Sequence, residues 1–379
     1  VDLWTLENTA QVVKLDAGAA QELIRPDSEF EEFLELLDKA PQQILRSDLD
    51  RALRRFRHHD TERLQRWGEP YALLVPLVKQ DRVLGVLSLG AKLTGGNFHA
   101  EDMALLNILS QQLATAIENV RLVSENVQKR ILDEEINLAT EIQEGLLPSR
   151  LPEHPDYSSH AVSFSSKFVG GDYYDLFLEE TGRMHLAIAD VSGKGVPAAL
   201  LMSSLRAALH SNVAHVLSPS EVVGRINRLM YESTAPEKFA TFFYGVLDTN
   251  THELIYANAG HNYPIVVRAE SETLCLSKGG LILGAFANAH YEEGRMQMQP
   301  GDTIFMYTDG VTEATDENEE DFGEERLQDL LVRECAKPPR TLVEGVLEQV
   351  ERFTKGADPA DDVTRLVIQR CGTQEPKGN

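Results

Sequence analysis

The sequence predicts an α+β protein in which a β-sandwich flanked by helices follows a long helix and a smaller α/β domain. Its 379 residues exceed what one ordinary core accommodates, so two or three domains are expected. From Ala100 to about Leu147 the chain has no proline and a single glycine, which is typical of a continuous helix. After His160, apolar strands dominate and the helices come in blocks, without strict alternation of strand and helix.

The composition indicates a globular protein and argues against several classes of partner. Apolar residues make up 42% and charged residues 25%, and the formal net charge is −24. Such a charge repels nucleic-acid backbones and anionic lipids, and no run approaches the ~20 apolar residues that span a bilayer. We therefore expect neither a nucleic-acid nor a membrane partner. The three cysteines form no C-x-x-C pair, so a reducing cytoplasm is favoured over disulfides or structural zinc.

The first hundred residues contain a recognisable hairpin. The apolar, β-branched runs Tyr71–Val78 and Val83–Leu89 are separated by four polar residues, which predicts two paired strands. In the helix that follows, apolar residues recur at spacings of three and four, as in a coiled coil: Leu106, Leu109, Leu113, Ala116, Val120, Val123 and Val127. Arg130 interrupts this stripe, which resumes in a shifted phase. We expect the second, more polar half to link two domains and to form a parallel homodimer.

The remaining chain is interpreted as one strand-rich domain. The predicted strands are Val162–Phe168, Tyr173–Leu178, Met184–Ala189, Ala240–Leu247, Leu254–Ala257, Tyr263–Val267, Thr303–Tyr307 and Val363–Ile368. The predicted helices are Val196–Val213, Ser220–Glu232, Glu324–Cys335 and Leu342–Thr354. The expected organisation is an α/β domain at 1–122, a helical linker at 123–147, a strand-rich domain at 148–371 and a disordered tail at 372–379.

Two aspartates mark the ends of one predicted hairpin. Asp172 opens a strand after Gly170-Gly171, and Asp190 closes the next. If the hairpin folds about Thr181, the numbers of paired residues add to about 362, which places Asp172 opposite Asp190. Cβ atoms of such a pair lie about 5 Å apart. Two facing carboxylates are destabilising unless a proton or a cation lies between them.

Two further aspartates repeat the arrangement. Asp309 follows the strand Thr303–Tyr307, and Asp361-Asp362 precedes the last strand. Antiparallel neighbours are expected to bring all four carboxylates to one edge of the sheet. Oxygen ligands of this kind suit Mg²⁺ or Mn²⁺ better than zinc. Any one of these aspartates could simply cap a turn, but four in matching places favour a metal site.

Three other features of the sequence bear on the function: a Gly-Lys-Gly turn, a Gly-Gly-Asp triplet and a histidine. Gly193-Lys194-Gly195 lacks the Ser or Thr that a phosphate-binding P-loop requires after its lysine. Gly170-Gly171-Asp172 is also similar to the signature of diguanylate cyclases, but the Asp309 and Asp361 segments do not belong to that pattern. His261 is interpreted as a loop-shaping residue that could contact a substrate.

In six segments the sequence resembles the protein phosphatase 2C superfamily, and within it the bacterial SpoIIE/RsbU branch. The matching segments span about residues 140–370: Leu146-Leu147-Pro148, 169–175, 189–195, 258–262, 307–313 and 361–364. The resemblance implies a pair of antiparallel sheets flanked by helices, with two Mg²⁺ or Mn²⁺ ions at one edge. It implies attack of a metal-activated water on phosphoserine or phosphothreonine, without a protein nucleophile.

The resemblance also implies roles for individual residues. Asp190 is expected to bridge the two ions and Asp309 to bind one, and these two are the expected catalytic residues. The remaining expected ligands are Asp361, the backbone carbonyl of Val191, and Asp172 directly or through water. Gly171, Gly193 and Asp362 are expected in supporting positions. The phosphate-binding arginine of eukaryotic relatives has no clear counterpart, so docking is expected to depend on the metals and on the partner's surface.

Tyr71–Leu122 resembles part of a GAF domain, a fold that binds small ligands or dimerises. Together the resemblances imply a regulated cytoplasmic phosphatase, controlled by the GAF-like domain through the linker helix. The implied substrate is a phosphorylated STAS-domain anti-sigma-factor antagonist. The alternative function is a non-catalytic signalling scaffold that binds its partner without hydrolysing phosphate.

Overall fold

The protein divides into two compact units, Val1–Leu132 and Asp133–Asn379. The computed structural model describes residues 72–80, 82–213, 218–234, 237–356 and 361–372, and the backbone of four strands before them. The predicted tail, apart from Gly372, lies outside the described residues. Among the residues described, no helix combines the length and apolar character that crossing a bilayer requires.

The first unit contains a six-stranded sheet. Its strands are β1 (Asp2–Glu7), β2 (Gln11–Asp16), β3 (Glu22–Ile24), β4 (Ile44–Leu45), β5 (Leu73–Lys79) and β6 (Arg82–Leu89), in the order β3-β2-β1-β6-β5-β4. The predicted hairpin is present as the antiparallel pair β5 and β6. Alternate residues of β5, Leu73, Val75 and Leu77, are buried because they face the helix that follows.

Helix α1 runs from Ala100 to Glu144 and continues through the boundary between the units. Its first turns pack on the first sheet through Ala114, with Leu106, Leu113 and Ile117 around it. The later apolar stripe is exposed along its length: Val120, Val123, Val127, Ile131, Leu138 and Ile142. The first half of the predicted coiled-coil stripe therefore serves in part as core of its own domain, and the second half faces outward.

The second unit is built on two antiparallel sheets. The strands are β7 (Tyr157–Phe164), β8 (Tyr173–Leu178), β9 (Arg183–Val191), β10 (Ala240–Asp248), β11 (Glu253–Ala259), β12 (Ile265–Val267), β13 (Thr273–Cys275), β14 (Gly279–Gly280), β15 (Gly294–Gln297), β16 (Thr303–Tyr307) and β17 (Val363–Arg370). The first sheet has the order β14-β11-β10-β9-β8, with β15 beside β11 and a short parallel pairing of β14 with β11. The second has the order β13-β12-β16-β17-β7.

Four helices cover the outer faces of these sheets. They are α2 (Val196–Val213), α3 (Pro219–Ser233), α4 (Glu324–Glu334) and α5 (Pro339–Phe353). Helices α2 and α3 pack on the first sheet, and α4 and α5 on the second. A third core fills the space between the sheets, with Leu186 and Ile188 on one side and Ile304 and Leu366 on the other. The result is the predicted sandwich, in the layer order helix, sheet, sheet, helix.

Several predicted boundaries differ from the observed ones by two residues or more, among them the start of α5, predicted at Leu342 and found at Pro339, and three further differences have a local cause. The strand expected at Val162–Phe168 is Tyr157–Phe164, because the chain after Phe164 turns toward the side chain of Asp362. The strand expected from Tyr263 begins at Ile265, after Pro264, which has no N–H for the ladder. Helix α1 ends at Glu144, three residues before Leu147, and Leu147 inserts into the core.

Candidate metal centre

The β8–β9 hairpin has the register that the sequence predicts. Tyr173 pairs with Ala189 and Leu178 with Met184, so Asp172 and Asp190 lie at the same end of the two strands. Because side chains alternate along a strand, Asp190 lies on the same face as Ile188, which belongs to the core between the sheets. Both carboxylates therefore lie at one end of the sandwich, where its apolar interior gives way to polar groups.

The other two aspartates come from the second sheet. Asp309 begins a short 3₁₀ turn directly after β16, and Asp361 and Asp362 precede its neighbour β17. The expectation that all four would lie on the edge of one sheet was wrong. They approach one another from corresponding ends of two facing sheets, because β16–β17 and β8–β9 belong to different layers of the sandwich.

The carboxylates influence one another's ionisation. Burial, and then the negative charges of Asp309, Asp361 and Asp362, raise the pKa of Asp190 to about 7. Burial and the charge of Asp361 also raise the pKa of Asp309. The site is therefore short of positive charge.

Asp172 lies deeper than the other three and is held by hydroxyl groups. Its side chain is only 4% exposed, and its Oδ2 accepts a hydrogen bond from Thr308 Oγ1 at 2.8 Å. The backbone N–H of Thr364 in turn donates to Thr308 Oγ1 at 2.9 Å. Burial raises the pKa of Asp172 well above its ordinary value despite these bonds, and the charge of Asp190 raises it further. Thr308 and Thr364, which sequence reasoning did not identify, thus fix the orientation of the carboxyl group.

Asp361 is partly exposed and already has a cationic partner. Its Oδ2 lies 2.9 Å from Nζ of Lys194, and both side chains are about two-fifths exposed. Lys194 belongs to the Gly193-Lys194-Gly195 turn, which lacks the Ser or Thr of a phosphate-binding P-loop. The structure places its ammonium group among the carboxylates, a role that the local motif alone did not indicate.

Two glycines shape the backbone around the site. A Cβ atom at Gly171 would lie 2.5 Å from the carbonyl oxygen of Val191, so only glycine allows this close approach. Gly193 has φ of +100°, a conformation that other residues rarely adopt. The carbonyl expected to bind a metal therefore lies beside the loop that carries Asp172.

The side chain of Asp362 holds the loop that carries Asp172 through hydrogen bonds. Its Oδ1 accepts hydrogen bonds from the backbone N–H and the hydroxyl of Ser166, at 2.8 and 3.1 Å. Its Oδ2 accepts from the backbone N–H of Gly171 at 2.7 Å. Both oxygens of Asp362 are thus used to hold the segment between β7 and β8, a role in keeping with the supporting position expected for it.

His261 connects the two sheets beneath the site. Its Nε2 lies 3.1 Å from the carbonyl oxygen of Tyr307, to which it must donate, and Nδ1 accepts from Thr241 Oγ1 at 2.8 Å. Thr241 pairs with Asp190, and Tyr307 ends the strand before Asp309. Asn258 bonds the backbone of His261 on both sides. Since His261 is 2% exposed, it shapes the loop and does not present its ring to a substrate.

The buried ring of His261 predicts a specific pH dependence of stability. Burial lowers its pKa to about 4, so the unfolded chain takes up a proton below pH ~6.5 that the folded protein does not. This contribution to stability is present above pH ~6.5 and is lost as the pH falls to 4, by about 3 kcal/mol in total. We expect the destabilisation caused by His261→Gln to shrink over this interval.

The measurement is the free energy of unfolding by urea between pH 4 and pH 7. The matched control is His290→Gln at an exposed site, whose effect on stability should not follow this trend. A difference between wild type and His261→Gln that stays constant across the interval would contradict the buried neutral histidine.

The donor set fits a hard divalent cation in chemistry and charge. The carboxylates are all oxygen donors, they repel one another, and a backbone carbonyl lies beside them. Among the described residues, however, no three His, Cys, Asp or Glu side chains converge closely enough to hold a metal ion as they stand. Binding therefore requires the side chains to approach one another, and Asp361 to exchange its contact with Lys194.

Comparison with known proteins agrees with this architecture. The model of the family described as stage II sporulation protein E (SpoIIE) matches residues 180–371, and that of the GAF domain matches residues 30–118. The phosphoserine phosphatase RsbU of Bacillus subtilis is 31% identical over 238 residues, which cover 62% of this chain and 70% of RsbU.

Two solved structures share the fold. The SiaA-PP2C domain of Pseudomonas aeruginosa superposes with a TM-score of 0.57 at 23% identity, covering 64% of this chain and 98% of that domain. The RsbU and RsbW domains of a Mycobacterium tuberculosis protein match with a TM-score of 0.53 at 27% identity, covering 61% of this chain and 64% of that one. The chain belongs to the SpoIIE family, a group of PP2C-type protein serine phosphatases, and carries a GAF domain ahead of its phosphatase domain.

Proposed function

We propose that this chain is a metal-dependent protein serine/threonine phosphatase that binds two Mn²⁺ or Mg²⁺ ions at the carboxylate cluster. The observation that carries the proposal is the approach of Asp190, Asp309 and Asp361 from two different sheets, close enough to disfavour one another's ionisation. A protein gains nothing in stability from such an arrangement, because like charges in a half-buried site repel. A divalent cation relieves the repulsion.

The residues of the chain have distinct tasks in this mechanism. Asp190, as the bridging ligand, and Asp309, Asp361 and the Val191 carbonyl would hold the ions. Asp172, oriented by Thr308 and Thr364, would support them directly or through water. When bound, the ions supply a water of lowered pKa and neutralise the charge of the phosphoryl group.

Family membership supports a proposal about the substrate class. RsbU is named a phosphoserine phosphatase, and an RsbU domain occurs in one protein together with an RsbW domain. We propose a phosphorylated regulatory protein as the substrate, a STAS-domain anti-sigma-factor antagonist being the best candidate. The site opens at one end of the sandwich, where Asp361 is exposed, so a phosphoserine on a protein surface could reach it.

Control by the N-terminal region is the second part of the proposal. We place the sensor at 1–122, the linker at 123–147 and the phosphatase at 148–371. Helix α1 is continuous from the GAF domain to the phosphatase domain, and its exposed apolar stripe suits pairing with the same helix of a second copy. A small ligand or a partner at the GAF domain would then act through a parallel homodimer.

The direct test is phosphate release from a phosphoserine-bearing STAS-domain protein. We expect release with Mn²⁺ or Mg²⁺, abolition by EDTA, and recovery when metal is restored. Equal rates with and without metal would contradict the metal-dependent mechanism. Comparing the full chain with residues 133–379, one of the two compact units, would show whether the front half activates or inhibits.

One observation favours the scaffold alternative. Among the described residues, no three acidic, histidine or cysteine side chains lie close enough together to hold a metal ion. Calorimetric titration with Mn²⁺ distinguishes the two functions. Binding in the micromolar to millimolar range supports the enzyme, and absence of binding, together with retained affinity for the phosphoprotein, supports the scaffold.

A further inference from the structure

The end of helix α1 is hydrogen-bonded to the loop that leads into Asp172. Gln143 donates from Nε2 to the carbonyl oxygen of Gly170 at 2.7 Å, and its Oε1 accepts from the N–H of Gly170 at 3.0 Å. One turn earlier, Thr140 Oγ1 donates to the carbonyl oxygen of Phe168 at 2.7 Å. The amide of Gln143 thus satisfies both backbone groups of a single residue, two positions before Asp172.

This contact is buried and its geometry leaves little freedom. Gln143 is 7% exposed, although its neighbours Ile142 and Glu144 on the helix are exposed. Turning the amide over would place donor against donor and acceptor against acceptor, so one orientation is selected. A buried glutamine with both ends bonded to the same residue specifies the position of that residue closely.

The same loop is held on its other side by Asp362. The carboxylate of Asp362 binds the N–H groups of Ser166 and Gly171, and a side chain at Gly170 would collide with it. Gly170 therefore lies between the amide of Gln143 and the carboxylate of Asp362. The position of Asp172 depends on both contacts. The contact with Asp362 comes from the sandwich, and the contact with Gln143 comes from helix α1.

Hydrogen bonds of Thr140 and Gln143 join the helix end to this loop, and Leu147, just beyond the helix, packs against the core. A cavity of about 360 Å³ lies between the helix end and the segment 163–168, with Asn137, Phe164 and Lys167 among its lining residues. Apolar packing is interrupted there. Hydrogen bonds weaken steeply beyond about 3.2 Å, so a displacement of the helix by about 1 Å is enough to release the loop.

We propose that Gln143 is a positioning residue for the metal centre, and that its amide makes the end of the linker helix a part of the frame that holds Asp172. The inference rests on the proposed function in so far as the carboxylates bind metal. It adds a specific contact, the Gly170 loop, through which movement of α1 reaches them.

The test uses the full chain with Gln143→Met, which keeps the length of the side chain and removes both hydrogen bonds. We expect the dissociation constant for Mn²⁺, measured by calorimetry, to rise by about tenfold to a hundredfold, as for other residues that orient ligands. We also expect faster hydrogen exchange of the peptide covering residues 165–175 in EDTA. Glu141→Gln, at an exposed position of the same helix, is the matched control for both measurements.

A second variant separates positioning from packing. Gln143→Glu retains the acceptor for the Gly170 N–H but cannot donate to its carbonyl oxygen, so loop exchange should lie between wild type and Gln143→Met. Unchanged exchange in Gln143→Met would overturn the inference, and so would a lowered melting temperature with unchanged Mn²⁺ affinity. A wild type that binds no Mn²⁺, with a loop that still loosens in Gln143→Met, would overturn the proposed function while leaving the positioning role intact.

Discussion

Asp190→Asn is expected to abolish phosphatase activity while making the metal-free protein more stable. Asparagine keeps the shape of the side chain but removes the charge that the proposed metal-bridging role of Asp190 requires. Losing a ligand of this kind removes several kcal/mol of transition-state stabilisation, so the rate with Mn²⁺ should fall by about a thousandfold or more. The readout is phosphate release from the phosphoserine substrate at saturating Mn²⁺.

The gain in stability follows from the raised pKa of Asp190. A carboxyl group with a folded pKa of about 7 favours folding below the unfolded pKa of ~3.9, and this contribution is lost as the pH rises through 7. Asparagine does not ionise and therefore avoids the loss. In EDTA, the variant should match wild type near pH 4 and exceed it above pH 7, by at most a few kcal/mol.

Asp248→Asn is the matched control. Asp248 ends strand β10, whose opposite end lies beside Asp190, and its carboxylate accepts bonds from a surface turn. The same chemical change there should leave activity and metal affinity unaltered. If Asp190→Asn retained activity, or lost stability at pH 8 in EDTA, the assignment of Asp190 would be wrong.

Gly310→Ala should impair both folding and metal binding. The added Cβ would press against the carbonyl oxygen of Asp362 and a methyl group of Val363. Backbone atoms cannot move aside cheaply, and overpacking of this kind costs about 1–3 kcal/mol. The only relief is to separate the turn of Asp309 from the start of β17, which moves Asp309 away from Asp361.

We therefore expect a melting temperature several degrees lower and a dissociation constant for Mn²⁺ raised by more than about tenfold. Scanning calorimetry in EDTA and titration with Mn²⁺ measure the two effects. Gly345→Ala is the control, because a Cβ there meets no atom within 4 Å and alanine favours the helix by up to about 1 kcal/mol. Wild-type Mn²⁺ affinity in Gly310→Ala would contradict the close packing of the two aspartate segments.

Much of the fold was predictable because its signals are local. Helix α2 has the predicted bounds, and the register of β8 with β9 follows from the length of its turn. The short strands β13, β14 and β15 were not predicted. They have two to four residues each and exist through pairing with longer neighbours, so their own sequences give little indication of them.

The aspartates of the candidate site were recognisable in the sequence, but the residues that support them were not. Asp172, Asp190, Asp309 and Asp361 each end or begin an apolar strand, which is a pattern visible in the sequence. Thr308 directly follows strand β16 and Thr364 lies in β17, and their hydrogen bonds around Asp172 depend on bringing two sheets face to face. Gln143 lies 27 residues from its partner Gly170, in a helix that the sequence predicts to be a linker, so no local pattern indicates their contact.

The sequence by itself determined the strand ends that carry carboxylates, the choice of oxygen ligands and the separation of the chain into a helical link and a sandwich. These properties depend on residue type and on spacing over a few residues, because alternation along a strand and periodicity along a helix are local. Only the tertiary structure decided that the aspartates come from two sheets, that Lys194 pairs with Asp361, and that Gln143 and Asp362 hold the same loop. Those contacts join residues far apart in the chain, and their geometry exists only once the layers of the sandwich have packed.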